Sequence, residues 1–420
     1  MGGGAGETGG AAAASAIAGA IAAAIAGAEG EVSLYMHVPF CVSFCDYCDF
    51  YSEKADSGRM DFFTRRLLAD IEWQLAFFNV KKIPSAYIGG GTPSVLGARR
   101  MGDFLAGLQG LFAAAGIPSP AEFTVEANPE SLSEGFLQAC TGGGVTRLSL
   151  GLQTFHEPSR RAVNRGGGGA ARLKDALSLA GSFFPGNFSI DLMSALPFQT
   201  HGILRDDIER ALAASPSGLS LYSLTLEPDS PLARNLGRTI AWEDFPQGEA
   251  AENLWLAGRD ALRGAGYEHY EVSNFALAGK RCLHNVRYWR MESWIGAGPA
   301  ASGTFICESG GKVAARRYTY KADLQAYLAA PAPSLQSAFV EELDTLDLIK
   351  DTLLMGYRFC EGPDPHLFRR RFSRDIEECI PKTIARWKDR SMFNSEKMLP
   401  LLDVFLREAF AELDEDVISD

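Results

Sequence analysis

Six short β-rich runs, each followed by an amphipathic stretch, limit what this chain can fold into more than any other feature. They are VSLYMHV (32–38), SAYIGG (85–90), EFTVEA (122–127), RLSLGL (147–152), FSIDLM (188–193) and GLSLYSLTLE (218–227). Helix-like segments lie between them at 62–77, 100–114, 132–140, 169–181 and 203–214. Strands alternating with helices pair in parallel through right-handed crossovers, so the pattern predicts an α/β fold with a parallel sheet. That sheet is either open and doubly wound or rolled into a complete or partial barrel. In all of these, active sites form on loops at the carboxyl ends of the strands. The unusual residues fall there: a cysteine loop after the first run, GGGTPS after the second, Glu126 closing the third, Gln153 after the fourth and Asp191 in the fifth.

The rest of the chain divides by composition. Residues 1–30 are almost pure Gly and Ala and lack the basic flank of a signal peptide, so they read as a low-complexity tail. Residues 31–230 hold the six runs. Residues 231–330 contain YEHYEVSNFALAGKRCLHNVRYWRMESWIGAGPAASGTF, dense in aromatics and Gly, expected as an extra sheet or lid. Residues 335–420 read as a small helical or winged-helix-like unit. At 420 residues the chain can bury an internal cofactor pocket. Its net charge of -12 argues against a broad nucleic-acid footprint, which needs clustered Lys and Arg. The acidic surface and apolar tail permit weak membrane contact without requiring it, so a cytoplasmic setting is the expectation.

Three of the eight cysteines fall in HVPFCVSFCDYCDF, as Cys41, Cys45 and Cys48. The clustering suits ligands in a reducing compartment, not a disulfide framework. Cys140, Cys282, Cys307, Cys360 and Cys379 are scattered and are expected to be small buried hydrophobes. Three thiolates can hold three irons of a cubane cluster and leave the fourth iron open to a small ligand. The competing reading is structural zinc, with His37 as a fourth ligand. Asp70 and Glu72 lie on an amphipathic helix and are expected to form a solvated face.

The order of Cys41, Cys45 and Cys48, followed one strand later by Gly89, Gly90, Gly91 and Thr92, resembles the radical-SAM superfamily. The resemblance implies a partial (β/α)6 barrel carrying a 4Fe-4S cluster whose open iron chelates S-adenosylmethionine. Glu126, Gln153, Arg165 and Asp191, with Tyr35 and Tyr47, match the S-adenosylmethionine contacts of the oxygen-independent coproporphyrinogen oxidase family. Gly90, Gly91 and Thr92 would lie along the methionyl part of that ligand. The Gly166 to Gly169 run after Arg165 departs from the family pattern.

The phrases VEANPES, RLSLGLQTF, IDLMSALPFQT, LYSLTLEPDSPLA and GYEHYEVSNFA are similar to those of the HemW heme chaperones, and HNVRYW (284–289) fits their HNxxYW signature. The oxidase has another cysteine two residues after the third, where this chain has Phe50. The resemblance implies heme binding through His284, with Trp289 and Tyr288 packing on the porphyrin and Arg287 pairing with a propionate. Cys282 and His269 are weaker ligand candidates. It also implies an apo-hemoprotein acceptor, an electron donor such as flavodoxin or ferredoxin, and a homodimer. The second reading is the oxidase itself, an enzyme of porphyrin biosynthesis that decarboxylates coproporphyrinogen III to protoporphyrinogen IX.

Overall fold

The computed structural model describes residues 30–419 apart from 167, 229, 310, 311, 336, 337, 394–397, 399 and 400, so the Gly/Ala tail through residue 29 lies outside the described residues. All six β-rich runs form strands: β1 (Ser33–Val38), β2 (Ser85–Gly90), β3 (Glu122–Ala127), β4 (Arg147–Gln153), β5 (Phe188–Ser194) and β6 (Gly218–Ser223). They pair in parallel in chain order, with Leu34 opposite Ala86, Ile88 opposite Val125, Glu126 opposite Ser149 and Asp191 opposite Ser220. These strands are covered on both faces, so every residue of RLSLGL is buried, Arg147 and Ser149 included, as is all of SLYMHV but Tyr35. The crossover helices lie close to the expected segments, at Ser57–Phe77, Gly97–Ala115, Glu134–Gly142, Ala170–Phe183 and His201–Ala213. Three of them start on side-chain caps: Asp56 accepts from the Arg59 N–H, Ser133 from Phe136 and Thr200 from Ile203. The result is the partial (β/α)6 barrel.

Residues 231–330 extend that same sheet at both edges instead of forming a separate one. On one side β7 (Glu268–His269) and β8 (Asn274–Ala276) continue past β6. On the other, β9 (Trp294–Ala297) pairs parallel with β1, and β10 (Ser302–Ser309), β11 (Lys312–Thr319) and β12 (Phe339–Leu343) follow antiparallel. Beyond Leu343 the described residues contain helices and no strand, so the C-terminal segment is helical and not winged. Trp387, Phe405, Phe368 and Leu353 centre a second apolar core there.

Asp70 overturns one expectation. It is 1% exposed, while Glu72 is exposed as expected. Asp70 accepts from the hydroxyls of Tyr320 and Tyr327, both at 3.0 Å, and from the Gly298 N–H at 3.4 Å. One turn on, buried Gln74 donates to the Gly296 carbonyl and accepts from Tyr318. The inner face of the helix Ser57–Phe77 thus clasps the β9 to β11 extension through polar groups. Among the scattered cysteines, Cys140, Cys282 and Cys379 are buried but Cys360 is exposed, a second correction: it lies at the surface, in the turn that follows Phe359. The Cys307 side chain lies outside the described residues. No helix among the described residues is long and apolar enough to cross a membrane.

Candidate cofactor site at the barrel mouth

The cysteine loop leaves the carboxyl end of β1 and is pinned from several directions. The Cys41 carbonyl accepts from Ala55, the Phe44 carbonyl from the Asn164 amide, and Asp46 is held by Val163, Leu232 and Asn235. Cys41 and Cys45 are half-buried and Cys48 is exposed. Burial raises the Cys41 thiol, with the Thr92 hydroxyl opposing the rise. Among the described residues no three His, Cys, Asp or Glu side chains converge on a single ion. A structural zinc would need a fourth protein ligand beside the three cysteines, whereas a cubane cluster takes one thiolate on each of three irons. His37 is also committed elsewhere: its ring nitrogens meet the Tyr51 carbonyl at 3.0 Å and the Tyr35 hydroxyl at 3.1 Å.

Beside the loop opens a cavity of about 400 Å³. Its wall brings together Tyr47, Cys48, Gly90, Gly91, Thr92, Glu126, Gln153, Arg165 and Asp191. Tyr35 does not line it; its ring lies on Tyr87, inside the barrel. Glycine is needed in the β2 loop for two reasons. Gly90 has φ +108°, and a Cβ on Gly91 would come within 2.7 Å of the Phe40 carbonyl oxygen. Gln153 sits at a bulge with φ +74°, an unusual conformation for a residue with a side chain, and its Oε1 is buried without a partner. An unmet acceptor facing a cavity fits a ligand donor.

The carboxyls on the wall are protonation-sensitive. Burial lifts Glu126 from 4.5 to about 7, reinforced by nearby Asp191 and opposed by the Tyr87 hydroxyl, which donates to it at 2.7 Å. Burial also raises Asp191, against hydrogen bonds from Ser220 and Ser149. At Arg165 burial opposes the charge, but Tyr47 and Cys45 outweigh it and the guanidinium stays protonated. Sequence reasoning missed Asn128, Met193, Tyr222 and Glu227 on the same wall. Asn128 closes the VEAN run and Tyr222 lies at the end of β6, so position at a strand's carboxyl end was the available signal.

The HNVRYW run forms the helix Leu283–Trp289, at the opposite end of the barrel. Glu122, the first residue of β3, accepts from the Leu283 and His284 N–H groups and from the Cys282 thiol. Ser85, which opens β2, meets His284 Nδ1 at 3.1 Å, and Ser33, which opens β1, accepts from Arg287. Since β2 runs from Ser85 to Gly90, the helix lies about 17 Å from the glycine loop, at about 3.3 Å per residue. Burial, reinforced by Arg287, pushes His284 down to about 3, so its imidazole is neutral. Arg287 is not open to a propionate as expected: Glu31 and Glu292 hold it at 2.9 and 2.6 Å. His269 stacks on Phe275 and its Nε2 meets the Val272 carbonyl.

A model of the Radical SAM superfamily matches residues 35–214, from β1 through the helix His201–Ala213. Heme chaperone HemW of Lactococcus lactis subsp. lactis (strain IL1403) is 30% identical over 372 residues, covering 88% of this chain and 93% of that protein. The chain belongs to the HemW family. A HemW from Escherichia coli (strain K12) is 34% identical over 274 residues, covering 65% of this chain and 70% of its own length. Among solved structures, coproporphyrinogen III oxidase (HemN) from Escherichia coli aligns over 94% of this chain and 93% of its own with a TM-score of 0.75. At 19% identity that likeness shows the shared fold alone. As a HemW family member and radical-SAM protein, the chain presents its cysteine loop and its HNVRYW helix at opposite ends of one barrel.

Proposed function

We propose that this chain is a heme chaperone. Cys41, Cys45 and Cys48 hold a 4Fe-4S cluster, the adjoining cavity holds S-adenosylmethionine, and His284 binds heme for delivery to an apo-hemoprotein. The observation that carries this reading is the separation of the two ends. A porphyrin held by His284 at the strand starts is separated from the mouth by Tyr87, whose ring lies 5.1 Å from that of His284 and whose hydroxyl meets Glu126 at 2.7 Å. It therefore does not come within the roughly 3–3.5 Å that hydrogen abstraction by an adenosyl radical needs. Names of HemW relatives support the same reading. The rival oxidase reading would need its porphyrin in the mouth.

When bound, a reduced cluster of this type supplies one electron to the sulfonium of its ligand. The chain's own residues do the holding. Gly90, Gly91 and Thr92 offer backbone to the methionyl part, Glu126 and Asp191 accept from hydroxyl or amino groups, Gln153 Oε1 accepts a donor, and Tyr47 and Arg165 close the wall. We further propose three units, 31–230, 231–330 and 335–420, an electron donor of the flavodoxin or ferredoxin class, and a cytoplasmic setting, which suits unpaired cluster thiols.

The raised carboxyl of Glu126 makes ligand affinity depend on pH. A carboxylate accepts a hydroxyl donor better than a neutral acid does, so affinity for S-adenosylmethionine should fall roughly tenfold per unit below about pH 7 and level off above it. Calorimetric titration from pH 6 to 8.5 checks this, and Glu126→Gln should flatten the profile. A wild-type profile without slope removes Glu126 from the contact set. In the ligand-free protein the same shift acts on folding: the folded carboxyl binds its proton more tightly than the unfolded one. The stability this contributes is present below 4.5 and is lost as pH rises to about 7.

A further inference from the structure

On the cavity wall, Asn128 joins two side chains that each reach a cluster thiol. Arg165 Nη2 lies 2.8 Å from Asn128 Oδ1, and Asn128 Nδ2 lies 2.9 Å from Thr92 Oγ1. On the far sides, Arg165 Nη1 lies 3.5 Å from Cys45 Sγ and Thr92 Oγ1 lies 3.6 Å from Cys41 Sγ. The five groups form an arc from one sulfur to the other.

Donor counting fixes every direction in that arc. A guanidinium only donates, so the oxygen of the Asn128 amide must face Arg165. Its NH2 must then face Thr92. Having accepted that hydrogen bond, the Thr92 hydroxyl keeps its own hydrogen for another partner. A thiolate, the form in which cysteine ligates metal, only accepts. The hydroxyl is therefore turned toward Cys41 and the guanidinium toward Cys45. The Asn128 N–H anchors the residue on Ser94 Oγ at 3.1 Å. A glycine at position 151 is also required: a Cβ there would lie 2.7 Å from Asn128 Oδ1 and 3.2 Å from Arg165 Nη2.

We propose that Asn128 is a positioning residue that sets the polarity of hydrogen bonds to two of the three cluster sulfurs and so raises the cluster's reduction potential. This rests on the cluster reading above. Hydrogen bonds to ligating sulfur stabilise the more negative, reduced state, and such outer partners tune a metal centre without touching it. Asn128→Asp keeps the shape but reverses one end: a carboxylate accepts from both Arg165 and Thr92, drawing the Thr92 hydrogen away from Cys41. Asn128→Ala frees Thr92 without reversing it. Gly151→Ala disturbs the arc while leaving its chemistry intact.

The test is a redox titration of anaerobically reconstituted full-length protein, read by the electron paramagnetic resonance of the reduced cluster. Potential is a property of each cluster formed, so incomplete loading does not affect it. Asn128→Asp should make the cluster harder to reduce by at least tenfold in the one-electron equilibrium, about 59 mV. Asn128→Ala and Gly151→Ala should shift it less, in the same direction. Thr92→Val should also lower it, and should shrink the further effect of Asn128→Asp. An Asn128→Asp cluster with wild-type potential and spectrum overturns the proposal, as does failure of all three Asn128 and Gly151 variants to take up iron, since a tuning group does not create the site. Failure of the wild type to take up iron and sulfide overturns the cluster reading instead.

Discussion

His284→Ala should weaken hemin binding on the order of 100-fold and abolish its Soret shift, while the cluster spectrum and the affinity for S-adenosylmethionine stay at wild-type values. The first effect follows from removing a neutral imidazole whose Nδ1 is fixed on Ser85, leaving Nε2 for iron. Even outer partners of a ligating histidine change metal affinity about 10–100-fold, so the ligand itself should reach the top of that range, and Ser85→Ala about tenfold. The second effect follows from the length of β2 between the two ends. Because the imidazole is already neutral well above its pKa of about 3, hemin affinity should not decline between about pH 8 and pH 5 through His284. Spectrophotometric hemin titration of both variants checks this. Unchanged hemin affinity in His284→Ala would move the heme ligand elsewhere.

Asp70→Ala should destabilise the fold by about 3–5 kcal/mol, since each buried donor left without a partner costs about 1–3 kcal/mol and three lose theirs. The cost falls on the contact between the barrel helix and the β9 to β11 extension. Asp70→Asn, with its oxygen in the place shared by Tyr327 and Gly298 and its NH2 turned to Tyr320, leaves only the Tyr320 hydroxyl hydrogen without its acceptor, so it should cost about 1–2 kcal/mol. Urea unfolding midpoints followed by tryptophan fluorescence separate the two. If Asp70→Ala matched the wild type, the clasp would contribute nothing to stability.

The barrel was legible because strands buried on both faces must be apolar runs, and their breaks fall at glycine and proline. The mouth was legible for a related reason: Glu126 and Gln153 stand at the carboxyl ends of their strands and Asp191 breaks the apolar run FSIDLM, positions where such residues have no place in a core. Asp70 was misread although its spacing puts it in line with Phe63, Leu67 and Gln74, all buried. A carboxylate on that face looks solvated until strands from distant sequence cover it and bring Tyr320 and Tyr327. The place of HNVRYW was hidden for the same reason, because a motif says nothing about which end of a barrel it will close. It took Glu122, Ser85 and Ser33, all at strand starts, to fix it. Asn128 stood in plain view in VEANPES, but its role lies in the direction of its amide, which only the positions of Arg165 and Thr92 determine.

Anaerobic loading with iron and sulfide, with iron counted per chain beside the visible spectrum, tests the central claim most directly. The account predicts a brown protein with about four irons that binds S-adenosylmethionine and loses both colour and ligand when Cys41, Cys45 and Cys48 are replaced by alanine. A colourless product, or a triple variant that keeps the wild-type chromophore and affinity, would contradict it.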